Sequence, residues 1–158
     1  QYLDELADDL TQTDTSIQTG NVMADAVLNS KLSVAEQKSI QLNVKAHIPK
    51  GIEMTDVEMC SVLGNLLDNA IEACEKLPCD KRFLRVYIDK FKGQFYLSVQ
   101  NSSPSIQRDK GIFRTTKAGT HGFGLFRIDR IAKKYGGYVN RQYEEGVFAT
   151  ELLLPLSG

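Results

Sequence analysis

Apolar and polar residues follow two different spacings along this chain. Apolar residues three and four positions apart, the spacing of an amphipathic helix, occur in four segments: 1–10, 20–39, 55–77 and 123–135. Short runs of alternating, β-branched or aromatic residues, typical of strands, occur in five: 40–44, 83–88, 95–99, 138–143 and 147–154. Some strands follow one another directly while others are separated by helices, so the order predicts a two-layer α/β sandwich, not a doubly wound sheet.

The first two helical segments are predicted to pack against other parts of the protein. Segment 1–10 is near the length at which isolated helices are marginal in water, so we expect it to pack against a partner. In segment 20–39 we expect the buried side to consist of its apolar positions, which are Val22, Ala26, Val27 and Leu32.

The helix predicted over 55–77 carries two asparagines in apolar surroundings. Asn65 and Asn69 are four residues apart and therefore project from one face. The apolar residues around them are Leu63, Leu66, Leu67, Ala70 and Ile71. An amide buried without a partner costs roughly 1 to 3 kcal/mol, so either the protein or a ligand must satisfy these groups. The alternative is that both are ordinary solvated side chains.

Residues 101–121 show no periodicity and are rich in Ser, Pro, Gly, Thr and Lys. A structureless loop of this length inside a compact domain is uncommon, and it tends to be a lid or a binding loop. The loop ends in the run Gly119-Thr120-His121-Gly122-Phe123-Gly124, which leads into the last predicted helix. Glycines at such a place can expose backbone N–H groups to a phosphate, although a purely structural turn is an equal alternative.

Composition limits the function further. The chain has 158 residues, 42% of them hydrophobic, and a formal net charge of −1, which indicates one soluble domain without a field that gathers nucleic acid. No apolar run is long enough to span a membrane, and a first residue other than Met suggests a fragment of a longer protein. Cys60, Cys74 and Cys79 lack the spacing of metal ligands, so we expect free thiols.

Four segments together closely resemble the GHKL superfamily of ATP-binding domains, and in particular sensor histidine kinases of the peptide-pheromone (Agr-type) group. They are 25–31 (DAVLNSK), 63–73 (LGNLLDNAIEA), 111–117 (GIFRTTK) and 122–125 (GFGL). The resemblance implies an α+β sandwich of the Bergerat type. Such a fold has a mixed sheet of about five strands, three helices on one face and a long ATP lid.

The resemblance also implies which residues bind MgATP. Asn69 would coordinate Mg²⁺, which prefers a few oxygen ligands together with nucleotide phosphates. Asn65 would lie beside the phosphates, where chaperone-type relatives carry a glutamate that activates water, and with Lys117 it would take part in catalysis. The remaining nucleotide contacts would come from the lid and the glycine run, namely Phe113, Lys117, Gly119, His121, Gly122, Gly124 and Leu125. Lys117 could instead be an ordinary solvated charge.

One position departs from the family pattern. Where many members have an acidic glycine box that contacts adenine, this chain has Asn101 followed by Ser102-Ser103-Pro104. A neutral amide can accept a hydrogen bond from the adenine amine, but it does so less strongly than a carboxylate. We therefore expect adenine affinity to be about five- to tenfold weaker than with the acid.

The resemblance implies that residues 15–158 form the kinase domain and that 1–14 end a dimerisation and phosphoacceptor helix. The γ-phosphoryl group of ATP would pass to a histidine on a hairpin of the same protein and then to a response regulator. The parent would be a homodimeric, membrane-anchored sensor whose kinase domain lies in the cytoplasm. The alternatives are a degenerate pseudokinase, a serine kinase of the anti-sigma type and, least favoured, a hydrolytic ATPase.

Overall fold

The computed structural model describes residues 17–104 and 120–157, and for 120–126 it describes the backbone alone. The predicted helix 1–10 and most of the predicted loop lie outside these residues. Eight main elements follow in chain order: α1 (Val22–Gln37), β1 (Gln41–Ala46), α2 (Asp56–Glu75), β2 (Phe83–Phe91), β3 (Gln94–Ser102), α3 (Thr120–Lys134), β4 (Tyr138–Glu144) and β5 (Val147–Pro155). A short 3₁₀ helix, Cys79–Lys81, precedes β2.

The five strands form one mixed sheet in the order β1-β2-β3-β5-β4. β1 runs parallel to β2, and all other neighbours are antiparallel. Helices pack on one face of this sheet, with α2 over the central strand β3. The predicted two-layer sandwich with a mixed sheet is therefore confirmed.

The core lies between α2 and the central strands. Alternate residues of β2 and β3 point toward the helices and are buried, as a period of two requires. They are Leu84, Val86, Ile88, Phe95, Leu97 and Val99. Leu63 and Leu67 of α2 are fully buried against them. All five apolar positions predicted around the two asparagines are buried.

Both ends of α2 are satisfied by side chains. At its start the Thr55 hydroxyl accepts a hydrogen bond from the Glu58 N–H (3.1 Å), and the Glu58 carboxylate accepts one from the Thr55 N–H (3.0 Å). This reciprocal pair is a capping box. At its end Arg82 donates to the carbonyl of Glu75 (3.1 Å) and also to that of Lys38 (2.7 Å), just after α1. One guanidinium thus aligns the ends of both helices.

The helices α1 and α2 lie parallel, joined by polar contacts along their length. The contacts are Asn21 with Asp56 (3.3 Å), Lys31 with Asp68 (2.8 Å) and Lys38 with Glu75 (2.8 Å). Each residue of α1 in these pairs therefore lies beside the residue of α2 that is 35 to 37 positions later in the sequence.

Of the four apolar positions predicted for α1, Leu32 is buried and Val27 is half-buried against the core, so the prediction is right at these two and wrong at the other two. Val22 is 83% exposed and Ala26 is exposed, whereas the buried residues are Ala24, Leu28, Leu32 and Ala35. Leu28, an apolar residue that the predicted positions left out, lies one turn before Leu32 on the buried side. Local spacing alone allows more than one choice of buried side in this weakly amphipathic helix.

Turns between the elements agree with their sequences. Lys92 and Gly93 between β2 and β3 both have positive φ, 52° and 78°, as a two-residue hairpin of type I′ requires. After α3, Gly136 has φ 72°, and Gly137 donates to the Ala132 carbonyl at 2.8 Å, which is a Schellman ending. In the part of the chain that the structure describes, no helix has the length and apolar character needed to cross a bilayer.

Two glycines should respond in opposite ways to alanine. A Cβ on Gly137 would lie 2.0 Å from the Leu153 carbonyl oxygen, whereas one on Gly64, inside α2, would meet nothing within 4 Å. We expect Gly137→Ala to destabilise the fold by about 3 kcal/mol and Gly64→Ala to stabilise it by up to about 1 kcal/mol. Urea unfolding followed by circular dichroism measures both, and equal effects would contradict the packing described.

Candidate functional site

The asparagines of α2 lie at the edge of the core. Asn65 and Asn69 are both half-buried, beside the buried Leu66 and Ala70. The Asn65 amide donates to the Ser61 hydroxyl one turn earlier, at 3.3 Å, and Asn69 also takes part in an interaction within the chain. The protein thus satisfies part of the hydrogen-bonding capacity of these amides without a ligand.

The start of α2 is tied to the end of α3. The Glu58 carboxylate accepts hydrogen bonds from the Lys134 ammonium, at 2.8 Å, and from the Tyr135 hydroxyl. The end of α3 therefore lies beside the start of α2.

Farther back along α3, Asp129 pairs with Arg141, at the level of Val99 in the second half of β3. The end of α2 lies on that same side, since Cys74 contacts Ser102 at the end of β3, so the two helices run antiparallel.

This arrangement brings the start of α3 toward the asparagines. From Lys134 back to Thr120 the helix rises about 21 Å, and from Glu58 to Asn69 it rises about 16 Å. Thr120 and Asn69 therefore belong to the same end of the helical layer. The start of α3, which carries the glycines, and the asparagines of α2 are far apart in the sequence but lie in one region of the domain.

The glycine run is not the loop that its composition predicts. The helix α3 begins at Thr120, so Gly122 and Gly124 have helical backbone, and the predicted start near Phe123 is wrong by about one turn. Burial of Ile128 and Ala132 favours a longer helix despite the poor helix propensity of glycine. Left-handed backbone is therefore not the reason for these two glycines. The N–H groups of a first helical turn have no partner inside the helix, so they can still face an anion.

Asn101 forms part of the floor beneath this region. It is 3% exposed, on the helix-facing side of β3, and its amide nitrogen donates to the Ser102 carbonyl at 2.9 Å. Phe148 of β5 is its partner in the sheet register. The side-chain oxygen is the acceptor of this amide, so it is the atom able to accept a bond from a ligand.

Sequence reasoning missed two polar residues on the same sheet face. Thr150 is 3% exposed, pairs with Val99 in the sheet and lies next to Arg141 on β4. Arg141 forms an ion pair at 3.0 Å with Asp129 of α3, and this pair ties the helix to the sheet. Strand alternation counted from the apolar residues of β5 would have placed Thr150 on this face.

The remaining predicted site residues stay predictions. Phe113, Lys117 and Gly119 lie outside the described residues. His121, Gly122, Gly124 and Leu125 are in the first turns of α3, where the structure describes backbone only.

Glu58 has the most perturbed carboxyl group near the helical layer. Partial burial raises its pKa, but hydrogen bonds from Lys134, Tyr135 and the Thr55 N–H outweigh this effect and lower the pKa from 4.5 to about 2. The carboxylate is thus ionised at all physiological pH values. The charge of Glu58 keeps the contact between α2 and α3 intact. Residue type and spacing did not predict this contact, although the Thr55-x-x-Glu58 capping signature marks the position of Glu58.

Comparisons with known proteins agree on the family. A family model described as a GHKL domain matches residues 53–155. The sensor histidine kinase NatK of Bacillus subtilis (strain 168) is 24% identical over 98% of this chain and 51% of its own length. The sensor histidine kinase DcuS of Escherichia coli (strain K12) is 29% identical over 68% of the chain and 20% of its own length.

Solved structures show the same fold. The catalytic domain of histidine kinase ThkA superposes with a TM-score of 0.68 at 22% identity, over 89% of this chain and 94% of that one. The mycobacterial sensor histidine kinase MprB gives 0.64 at 18% identity, over 84% and 95%.

The chain therefore belongs to the GHKL family, as an ATP-binding domain of the type found in sensor histidine kinases. It spans about half the length of NatK and about a fifth of DcuS. The peptide-pheromone subgroup named from the sequence is tested by none of these matches and stays a prediction.

The Glu58 contact predicts a specific pH dependence. Because the folded pKa of about 2 lies below the ordinary value of 4.5, the contact contributes its full stability above about pH 5 and loses it as the pH falls toward 2. We expect Glu58→Gln to lower the melting temperature at pH 7, and this difference from wild type should shrink between pH 4.5 and pH 2. Thermal unfolding across this range measures the effect. The exposed Glu36→Gln is the control, and a difference independent of pH would contradict the assignment.

Proposed function

We propose that this chain is the kinase domain of a sensor histidine kinase, which binds MgATP and transfers the γ-phosphoryl group to a histidine on a helical hairpin. The observation that carries the proposal is that Asn69 and the start of α3 share one end of the helical layer. Both lie on the sheet face that holds the buried Asn101. The amide oxygen of Asn69 suits the metal, and the N–H groups in the first turn of α3, which have no partner inside the helix, suit the phosphates. The buried oxygen of Asn101 suits the adenine amine.

Each residue has a role in this proposal. Asn69 coordinates Mg²⁺ through its amide oxygen, with Asn65 beside the phosphates. The backbone around Gly119, Gly122 and Gly124 receives the phosphates, together with His121 and Leu125. Phe113 and Lys117 close over the nucleotide as the lid, and Asn101 accepts from the adenine amine.

The chemistry asked of the domain is mainly positioning and charge neutralisation. Bound MgATP supplies the phosphoryl group and much of the charge compensation. The acceptor imidazole nitrogen forms a bond to phosphorus as the bond to the bridging oxygen breaks, ADP keeps that electron pair, and the imidazole proton leaves to solvent. Asn65 cannot take a proton as a carboxylate would, which favours transfer to a protein acceptor over attack by water.

The parent protein is proposed to be a homodimeric sensor anchored in a membrane, with this domain in the cytoplasm. Its partners are the phosphoacceptor hairpin and a response regulator whose aspartate receives the phosphoryl group. The names of NatK and DcuS, sensor histidine kinases that this chain resembles, support the sensor-kinase part of this proposal.

Asn101 favours one alternative, a pseudokinase that binds nucleotide weakly. A neutral acceptor at a position that is 3% exposed offers adenine a weaker bond than a carboxylate would. A serine kinase of the anti-sigma type is a further possibility, and acid lability of the phosphorylated product distinguishes histidine from serine as the acceptor.

Calorimetric titration with ATP tests the metal assignment. We expect wild type to bind in the presence of Mg²⁺, and Asn69→Ala to lose the Mg²⁺-dependent part of the affinity because its oxygen ligand is gone. Asn43→Ala, on the exposed side of β1, is the matched control, and circular dichroism verifies folding. No binding by wild type at millimolar ATP would overturn the kinase proposal, and binding retained by Asn69→Ala would overturn the ligand assignment alone.

A second titration tests Asn101. Loss of one neutral hydrogen bond, worth about 1 kcal/mol, should weaken ATP binding about fivefold in Asn101→Ala. Discrimination between ATP and GTP should fall by a similar factor, because guanine lacks the amine at that position. Unchanged discrimination would show that Asn101 does not contact the base.

A further inference from the structure

Residues 17–19 form a strap that lies along α1 before the chain turns into that helix. Asn29 holds its beginning, since the side-chain oxygen accepts from the Ile17 N–H at 2.9 Å and the side-chain nitrogen donates to the Ile17 carbonyl at 3.0 Å. Only a carboxamide offers this matched acceptor and donor to one backbone residue.

Asp25 holds the other end of the strap. Its carboxylate accepts from both the N–H and the hydroxyl of Thr19, each at 2.6 Å, and Thr19 is completely buried. The Thr19 carbonyl in turn accepts from the Ile48 N–H at 2.8 Å, after the end of β1. The strap is therefore held from the helix and from the sheet side together.

These bonds are not needed to form α1. Asn21 already caps the helix, because its side chain accepts from the Ala24 N–H at 3.0 Å. Asn29 lies farther inside, where asparagine is a poor helix former, and Asp25 lies in the first turn, where its carboxylate bonds to Thr19 and not to the N–H groups of the helix. Their side chains serve the strap, which accounts for the polar positions of the segment DAVLNSK that nucleotide binding leaves unexplained.

The strap runs antiparallel to α1. Two extended residues cover about 7 Å, which matches the rise of about 6 Å between Asp25 and Asn29. Gly20, with φ 98°, then reverses the chain into the helix. Ile17 is thus the strap residue farthest from the start of α1.

The beginning of the strap is level with the asparagines of α2. Lys31, two residues beyond Asn29, pairs with Asp68 at 2.8 Å, and Asp68 adjoins Asn69. Because α1 and α2 are parallel, Ile17 lies within about one helical turn of the level of Asn65. The described part of the chain therefore begins level with the end of the domain where nucleotide is proposed to bind.

We propose that Asp25 and Asn29 are positioning residues, which hold the strap so that the phosphoacceptor segment upstream is presented to bound ATP. The inference rests on the proposed function and adds a second requirement to it. Nucleotide binding alone is not sufficient for rapid transfer within one protein. The hydrogen bonds from Asp25 and Asn29 to the strap, which we call the clamp, must also be formed.

Hydrogen exchange on this 158-residue chain, without nucleotide, tests the clamp itself. Asn29→Ala should raise exchange at the Ile17 amide about five- to tenfold, because its acceptor is lost, while ATP affinity stays within about twofold of wild type. Ser30→Ala, exposed on the same helix, is the matched control. Unchanged exchange at Ile17, or a parallel loss of ATP affinity, overturns the inference.

Transfer assays on the parent protein test the purpose of the clamp. Asn29→Ala should slow transfer to the hairpin of the same protein about five- to tenfold, and leave transfer to a separately supplied hairpin unchanged. Asn29→Asp keeps the acceptor for the Ile17 N–H but sets an anionic oxygen against the Ile17 carbonyl, so it should slow the same reaction at least as much, and it provides the test if the alanine variant does not fold. Equal slowing of both reactions overturns the inference, and so does an unchanged rate of both reactions. A wild-type chain with a protected strap that binds no ATP overturns the proposed function instead.

Discussion

Burial of one side of α2 against the central strands is the interaction on which the rest of the domain depends. Leu63 and Leu67 are fully buried there, and each such side chain contributes about 1.5 to 3 kcal/mol. A helix packed in this way has its polar residues at the edges of the contact. Asn65 and Asn69 are therefore held half-buried by the packing of their apolar neighbours, over the sheet face that also holds the buried Asn101 of β3.

Polar contacts on both sides of α2 then set the positions of the other two helices. Lys31 and Asp68 join it to α1, and Glu58 joins it to the end of α3 through Lys134 and Tyr135. Exposed ion pairs contribute little stability individually. Their importance here is geometrical, because apolar packing is tolerant of sliding, whereas a hydrogen bond between fixed atoms is not.

The resulting site depends largely on neutral groups. In the proposed function, amides and helical N–H groups would bind metal and phosphate without accepting protons, which suits a domain that positions a nucleotide for an external acceptor. The strap held by Asp25 and Asn29 extends this principle to the chain before α1. Its beginning lies level with the asparagines because α1 and α2 are parallel. The helix α2 is thus common to both, since the proposed site lies between α2 and the start of α3 and the strap is levelled against α2 through α1.

Much of the molecule follows from local pattern. Periodicity and turn residues predicted the described helices and strands to within a few residues, since the Lys92-Gly93 turn and the Gly136 helix ending need only local chemistry. The two asparagines were predicted as site residues because an amide among apolar positions of a helix needs a hydrogen-bond partner. Tertiary structure alone decided the buried side of α1, the helical start at Thr120, and the contacts of Glu58 and Arg141. These depend on residues distant in sequence, and a local pattern contains no information about which distant side chain will lie opposite.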